Sequence, residues 1–372
     1  MILPVDSTEL KGGMSLQKPK KIVKEKAKRV KAIQVETPKT VSKLLEDMGR
    51  TGFQGKNLAK VVEVLEYMIK DKNTTILLGY AGSLSTTGQW KIINWLIENR
   101  FIDILVPTGA NISEDIIDAM GYGYLQGGHL VDNEKLFKEG FNRYYDVYGK
   151  ESDYLEMTEL IAKFIVTLDE GYKYSSREFL YLFGKWLGKK KIKSIAAVAA
   201  ENGVPIFCPA IADSPYGDAA LIAKSKGFNL TIDAIKDYIE FMNLGERVKN
   251  TGVIYIGGGV PKDFIQLFAV TGDLLYRDRE IPNRKDGLKR NSTNETYYPH
   301  RYAVQITTDS PQWGGLSGCT FEEAVSWGKE DPMGRFIQCY CDATIALPIV
   351  AHALAERVKS RRKGTDFSDL FK

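Results

Sequence analysis

Thr74-Thr75-Ile76-Leu77-Leu78-Gly79-Tyr80-Ala81-Gly82-Ser83-Leu84-Ser85-Thr86-Thr87-Gly88 and, a little further on, Ile102-Asp103-Ile104-Leu105-Val106-Pro107-Thr108-Gly109-Ala110-Asn111 decide the fold class. Each opens as a short continuous apolar run, passes into a loop of small residues and leads to a helical pattern. One helix runs through Trp95 and the next opens near Ser113-Glu114-Asp115. Strands apolar on both faces, alternating with helices, predict a parallel sheet covered on each side. The rhythm continues outward. On the amino side, Val41, Leu44, Leu45 and Met48 fall at helical spacing, and after a break at 49–55 a second amphipathic helix covers Leu58 to Ile69. On the carboxyl side come a helix over Ile192–Glu201, a strand Val204–Cys208, and a helix marked by Ile232, Ile235, Tyr238, Ile239 and Met242. Strands Val253–Ile256, Tyr302–Thr307 and Phe336–Cys341 follow, then a last helix from Ile345 to about Val358. The expected architecture is α/β: a Rossmann-like, doubly wound parallel sheet with helices on both faces, one large domain over 39–360.

Between these elements the pattern weakens. Residues 125–175 read as a helical, tyrosine-rich elaboration with a Gly127-Gly128-His129 turn, and 272–300 as a mobile surface insertion, polar and without periodicity. Residues 1–38 read as a mobile basic arm and 361–372 as a tail. Within 18–31 lie eight Lys/Arg and one Glu, so this stretch carries about +7 of a net charge of +4, leaving the body slightly acidic. Such a run is usually a solvated lead-in, and no nucleic acid is expected as a partner. Hydrophobic content of 44% and charged content of 26% suit a soluble globular chain. No apolar run approaches the roughly 20 residues that cross a membrane, and the first residues lack the pattern of a signal peptide. Four scattered cysteines (Cys208, Cys319, Cys339, Cys341) and three scattered histidines give no metal-ligand spacing, so no metal is expected and the compartment reads as cytoplasmic.

In an open α/β sheet, ligands bind where strands end and helices begin. Five such ends carry small or acidic residues: Gly82–Ser85, Thr108–Ala110, Asp213–Asp218, Gly257–Gly259 and Asp342-Ala343. Glycines let backbone amides approach a phosphate, and a helix start offers it partial positive charge, which suits a dinucleotide. The fingerprint G-x-G-x-x-G is missing, so an ordinary dehydrogenase is not supported. Asp213 and Asp342 serve either ribose hydroxyls or helix caps. The stretch Gly314-Gly315-Leu316-Ser317-Gly318-Cys319-Thr320-Phe321-Glu322-Glu323-Ala324-Val325-Ser326-Trp327-Gly328-Lys329 gathers two acids, an indole and a lysine within eight residues. A lysine held against an indole in a partly dry pocket gives easier access to the neutral amine that attacks a carbonyl or imine. A solvated lysine at a helix end is the plainer outcome. The acids Glu114, Asp218, Asp263 and Glu323, gathered beside Trp327, would suit a polyamine, carboxylates taking its ammonium groups and the indole its methylenes.

Over about residues 40–355 the chain resembles the deoxyhypusine synthase family. The resemblance rests on TGFQGKNL (51–58), LGYAGSLSTTG (78–88), SEDII (113–117), PIFCPAIADSPYGD (205–218), NTGVIYIGGGVPK (250–262), GGLSGCTFEEAVSWGK (314–329) and DATIALP (342–348). It implies an NAD-dependent aminobutyl transfer from spermidine or putrescine, passing through an imine on Lys329 to an acceptor amine. By position, Ser83, Leu84, Ser85, Thr108, Gly109, Ala110, Asp213, Gly258, Thr308, Asp309, Asp342 and Ala343 would line NAD. Glu114, Asp218, Asp263, Glu323 and Trp327 would hold the polyamine. A homotetramer, with sites between paired subunits, is implied as well.

Three positions depart from the family pattern. Asp263 stands where the protein-modifying members have His, Ser113 replaces one of two consecutive acids, and Leu316 replaces an acid in the glycine-rich loop. Together with the long 272–300 segment, these changes resemble the bacterial deoxyhypusine-synthase-like, homospermidine-forming branch. The acceptor is then either a small diamine or the lysine of the hypusine-bearing translation factor. Redistributed charge along an amine channel changes which chain length fits. The rival readings are a non-catalytic regulatory subunit of a hetero-oligomer and an NAD-binding hydrolase that would not need Lys329.

Overall fold

The computed structural model describes residues 28–371 apart from 283, 285 and 286. Its centre is a five-stranded sheet in the order Glu330–Tyr340, His300–Thr307, Asn250–Ile256, Thr74–Tyr80, Ile104–Pro107. Every neighbouring pair is parallel, and Ile206 adds a parallel bridge to Leu105 beyond the last strand. The run expected to form a strand at 204–208 is therefore reduced to that one bridge.

Alternate residues of the strands feed two separate cores. Ile76, Leu78, Ile254, Ile256, Val304 and Ile306 pack against the helices Phe53–Lys70, Trp90–Glu98 and Ala343–Arg357. Leu77, Val253, Tyr255 and Ala303 face Phe241, Phe264, Phe268 and Phe321 on the other side. Burial on both faces is why these strands read as unbroken apolar runs. Gly79 is needed here because a Cβ would sit 2.9 Å from Ile265 Cδ1, where the helix Gly259–Val270 crosses the strand.

Three segments differ from expectation. The tyrosine-rich middle is not all helical: Leu125–Gln126, Phe141–Tyr144 and Val147–Lys150 form an antiparallel sheet beside the helix Glu151–Ile165. Strands of two to four residues leave no period for sequence reading to detect. The 272–300 segment is more than surface: Ile281 and Tyr298 are buried, and Tyr298 N–H donates to the Ala269 carbonyl at 2.8 Å. The tail also folds back, since Phe367 is buried and the buried Asp103 carboxylate accepts from Arg362 at 2.7 Å and Thr365 N–H at 2.9 Å. The basic run at 18–31 lies mostly outside the described residues. Among the described residues no helix is long and apolar enough to cross a membrane, and no cluster of metal-ligating side chains is present.

Candidate active site

Lys329 ends the turn after the short helix Phe321–Ser326 and directly precedes the strand Glu330–Tyr340. Thr320 caps that helix by accepting from Glu323 N–H at 3.0 Å. The turn is completed by Gly328 at φ +77°, a region that favours glycine. A Cβ there would lie 2.7 Å from the Tyr297 ring, so the 272–300 segment packs against the turn that delivers the lysine.

The lysine therefore enters from the amino end of its strand, not from the carboxyl edge of the sheet where sequence reasoning placed the ligand loops. Its side chain still reaches the helix that leaves the glycine turn. Lys329 Nζ stands 3.2 Å from Asp263 Oδ1 and 3.4 Å from Gln266 Oε1. Asp263 and Gln266 are three apart, on one face of the helix Gly259–Val270. The lysine side chain is 11% exposed. Nζ is 5.5 Å from the centre of the Trp327 ring, which is 59% exposed and forms the open wall.

A second lysine lies behind the first. Lys262 is fully buried, and its Nζ donates to Gln305 Oε1 at 3.0 Å, the Leu316 carbonyl at 3.2 Å and the Cys319 carbonyl at 2.8 Å. Burial lowers its pKa below the ordinary lysine value. Through these bonds the 314–319 loop is tied to the glycine turn. Ser317 also seals that turn: its hydroxyl accepts from Gly259 N–H at 3.1 Å, and a Cβ on Gly258 would meet Ser317 Cα at 2.4 Å.

The four acids do not gather within one chain. Asp263 is at Lys329, and Glu323 is exposed on the helix before it, beside the Cys319 thiol. Glu114 and Asp218 instead flank Tyr154: burial, and then the charges of these two acids, raise its hydroxyl pKa. Glu114 is buried among tyrosines, with Tyr124 donating to its carbonyl at 3.0 Å and Tyr144 hydrogen-bonded to its carboxyl. Burial pushes that carboxyl up to about 7.

At the carboxyl edge, Ser83, Asp213, Thr308, Asp309 and Asp342 are exposed and Thr108 is half-buried, a set of hydroxyls and carboxylates suited to ribose hydroxyls and an amide. Gly257 at φ +69° keeps its neighbourhood open, the nearest atom to an added Cβ being Ala81 O at 3.6 Å. Leu84 and Ser85 are buried and act inward: Leu84 N–H donates to Asn111 Oδ1 at 3.1 Å and the Ser85 hydroxyl to the Asn111 carbonyl at 2.6 Å. Gly109 lets Ser214 approach, since a Cβ would lie 2.3 Å from its hydroxyl, and Ala110 opens the short 3-10 turn Ala110–Ile112. Asp342 caps the helix beginning at Ala343, its Oδ1 accepting from Thr344 N–H at 2.7 Å, a role one carboxylate oxygen fills. Sequence reasoning missed Gln266, Lys262, Glu330, Asn111 and the tyrosines around Glu114. A polar Gln in the apolar run Phe264-Ile265-Gln266-Leu267-Phe268, three residues after Asp263, was the one available signal.

The deoxyhypusine synthase family profile matches residues 43–354. A protein of Methanosarcina acetivorans named "Probable deoxyhypusine synthase 2" is 44% identical over 87% of this chain and 89% of its own length. An Archaeoglobus fulgidus protein of the same name is 45% identical over 82% and 95%. A "Deoxyhypusine synthase-like protein" of the bacterium Elusimicrobium minutum is 34% identical over 91% and 87%, so these archaeal relatives share more residues with this chain than it does. A crystal structure assigned as a deoxyhypusine synthase from Entamoeba histolytica shares the fold, with a TM-score of 0.59 at 18% identity over 91% of this chain and all of that one. This chain belongs to the deoxyhypusine synthase family, whose membership implies a transferase.

Proposed function

We propose that the protein is an NAD-dependent 4-aminobutyl transferase that carries the aminobutyl group of spermidine or putrescine on Lys329. The observation that carries this reading is the Lys329 amine, nearly enclosed, held by Asp263 and Gln266 and bordered by an open indole. When bound, NAD supplies a hydride acceptor for the donor amine and a hydride source for the product imine. Ser83, Thr108, Asp213, Thr308, Asp309, Asp342 and Ala343 would hold it at the sheet's carboxyl edge, with Gly258 beneath and Leu84, Ser85, Gly109 and Ala110 shaping the loops.

The remaining work falls to the chain's own side chains. Lys329 Nζ forms a bond to the donor's imine carbon as the bond from that carbon to the departing amine breaks, and the displaced amine leaves with a proton. The acceptor amine then attacks the same carbon, and Lys329 leaves as a free amine. Asp263 Oδ1, 3.2 Å from Nζ, holds the proton that Lys329 sheds and regains. Trp327 covers the donor's methylenes, and Glu323 faces an ammonium group. Glu114 and Asp218 lie in a separate cluster, which supports a polyamine slot completed between subunits of a homotetramer. The exposed Trp313, Trp327 and Met333 are apolar surface that such an assembly would cover.

Asp263 in place of His favours a small diamine acceptor, whereas the names of the archaeal relatives favour a protein lysine. Incubation with NAD and spermidine or putrescine, borohydride trapping and peptide mapping tests the reading: an aminobutyl adduct is expected on Lys329 and none on Lys329→Arg. Product masses with putrescine, or with the hypusine-bearing translation factor, identify the acceptor. A purified chain that forms no adduct alone, yet raises the activity of a paralogue, is the regulatory subunit instead.

A further inference from the structure

We propose that Glu330 is a positioning residue for Lys329, acting through the amide of Gln266. This deepens the transferase reading and rests on Lys329 being its nucleophile. Glu330 follows Lys329 in the chain but turns the other way and is fully buried. Its Oε1 accepts from Gln266 Nε2 at 3.2 Å, and Gln266, equally buried, presents Oε1 to Lys329 Nζ at 3.4 Å. An amide has a donating and an accepting end, and an ionised carboxylate can only accept. Glu330 therefore fixes which way round Gln266 sits, and the end left for the lysine is the acceptor.

The consequence is a directed lone pair. A neutral amine has two N–H groups and one lone pair in tetrahedral array. With Asp263 Oδ1 and Gln266 Oε1 as acceptors for the two N–H groups, the lone pair is left facing away from both and free to attack. Were the amide reversed, its NH2 would face Nζ and compete for the lone pair. A buried acid is costly unless it is used, and the other oxygen, Oε2, has no hydrogen-bond partner among the described residues.

The grip depends on ionisation. Burial pushes the Glu330 carboxyl up to about 7, opposed by the Gln266 hydrogen bond and the charges of Lys262 and Lys329. The other titratable groups facing it are Tyr255, on the strand Asn250–Ile256 two places across the sheet, and His300, its register partner on the adjoining strand. The purely accepting form is present above about pH 7 and is lost as pH falls through that value.

The test uses butyraldehyde and cyanoborohydride on the full-length protein. The amine condenses with the aldehyde, losing water, and cyanoborohydride reduces the imine to a stable butyl-lysine. Peptide mapping gives the labelling rate at position 329 from pH 5.5 to 8.5. Because neither NAD nor a polyamine is needed, this result stands apart from success or failure of the transferase assay. Glu330→Gln, similar in shape but able to hold the amide either way round, is expected to slow labelling about fivefold at pH 8, with the wild-type advantage vanishing below pH 6. Gln266→Met is expected to slow it at least as much, and adding Glu330→Gln to it should slow it no further. Wild-type rates and pH profile in Glu330→Gln overturn the proposal, as do fully multiplicative losses in the double variant.

Discussion

Lys329 and Asp263 stand 3.2 Å apart, the first 11% and the second 40% exposed at the side chain. Water reaching the Asp263 carboxylate screens the pair, which contributes about 1 kcal/mol or less to stability, so its value lies in where it holds the amine. Asp263→Ala should therefore shift Tm by no more than about 2 °C while slowing adduct formation at Lys329 by roughly 10- to 100-fold, the scale on which misplacing a reacting group acts. A loss of Tm matching the loss of rate would make Asp263 structural. Trp327 sits differently, on the open wall with nothing to gain from burial in one chain. In the proposed slot, cation–π and methylene contacts between the indole and a polyamine would be worth about 1–2 kcal/mol. Trp327→Ala should raise KM for the donor roughly 5- to 30-fold and leave kcat within about threefold, and an unchanged KM would remove the indole from the polyamine slot. That Lys329, Trp327 and Asp263 would lie together was readable in part from the short motifs that carry them. Gln266 and Glu330 were not: they are 64 positions apart and meet only because the 259–270 helix packs over the start of the last strand.

The central strands could be found in the sequence because both their faces are buried, which removes polar alternation and leaves runs such as Ile76-Leu77-Leu78. The last strand shows the limit of that signal. It begins at Glu330, but the pairing jumps from His300↔Glu330 to Tyr302↔Arg335, and the irregular Asp331-Pro332-Met333-Gly334 between them hides the start. Only Phe336 onward looked like a strand. The same blindness affected 272–300, whose buried members, among them Ile281 and the short run Thr296-Tyr297-Tyr298, are too few and too scattered to set a period. That segment matters to the site because Tyr297 fills the space a side chain at 328 would need. Gly328→Ala meets both a φ of +77° and a 2.7 Å contact with the ring. The expected cost is about 1–3 kcal/mol, read from chemical denaturation, together with loss of most Lys329 labelling, since the next residue is the lysine itself. Wild-type stability and labelling in Gly328→Ala would show that Tyr297 yields freely and that the turn does not set the amine's position.

Across the whole molecule, buried acids at the site and away from it give the fold a pH dependence of its own. Burial raises Glu114, Asp115 and Glu330 to about 7 and Asp237 to about 6. In the unfolded chain these groups titrate near 4. Between about pH 4.5 and 7 the native state therefore holds more protons at these four positions, and stability falls as pH rises. His300 works against them: burial depresses its pKa to about 3, so the unfolded chain binds the extra proton between there and about 6.5. One histidine offsets one carboxyl, and the four acids outweigh it. Acids held below their usual range by hydrogen bonds, such as Asp342 beside Thr344, lose their contribution only as pH falls below about 4 and do not enter this window. The Tm of the purified protein, at fixed concentration, should therefore be highest near pH 5 and decline toward pH 7.5. Replacing Glu114 or Glu330 by Gln removes one titration each and should flatten the decline. A Tm that is constant or climbs from pH 5 to 7.5 would mean that these carboxyls are ionised in the native state, and the tyrosine-lined Glu114 cluster would then have to be wetter than its burial implies.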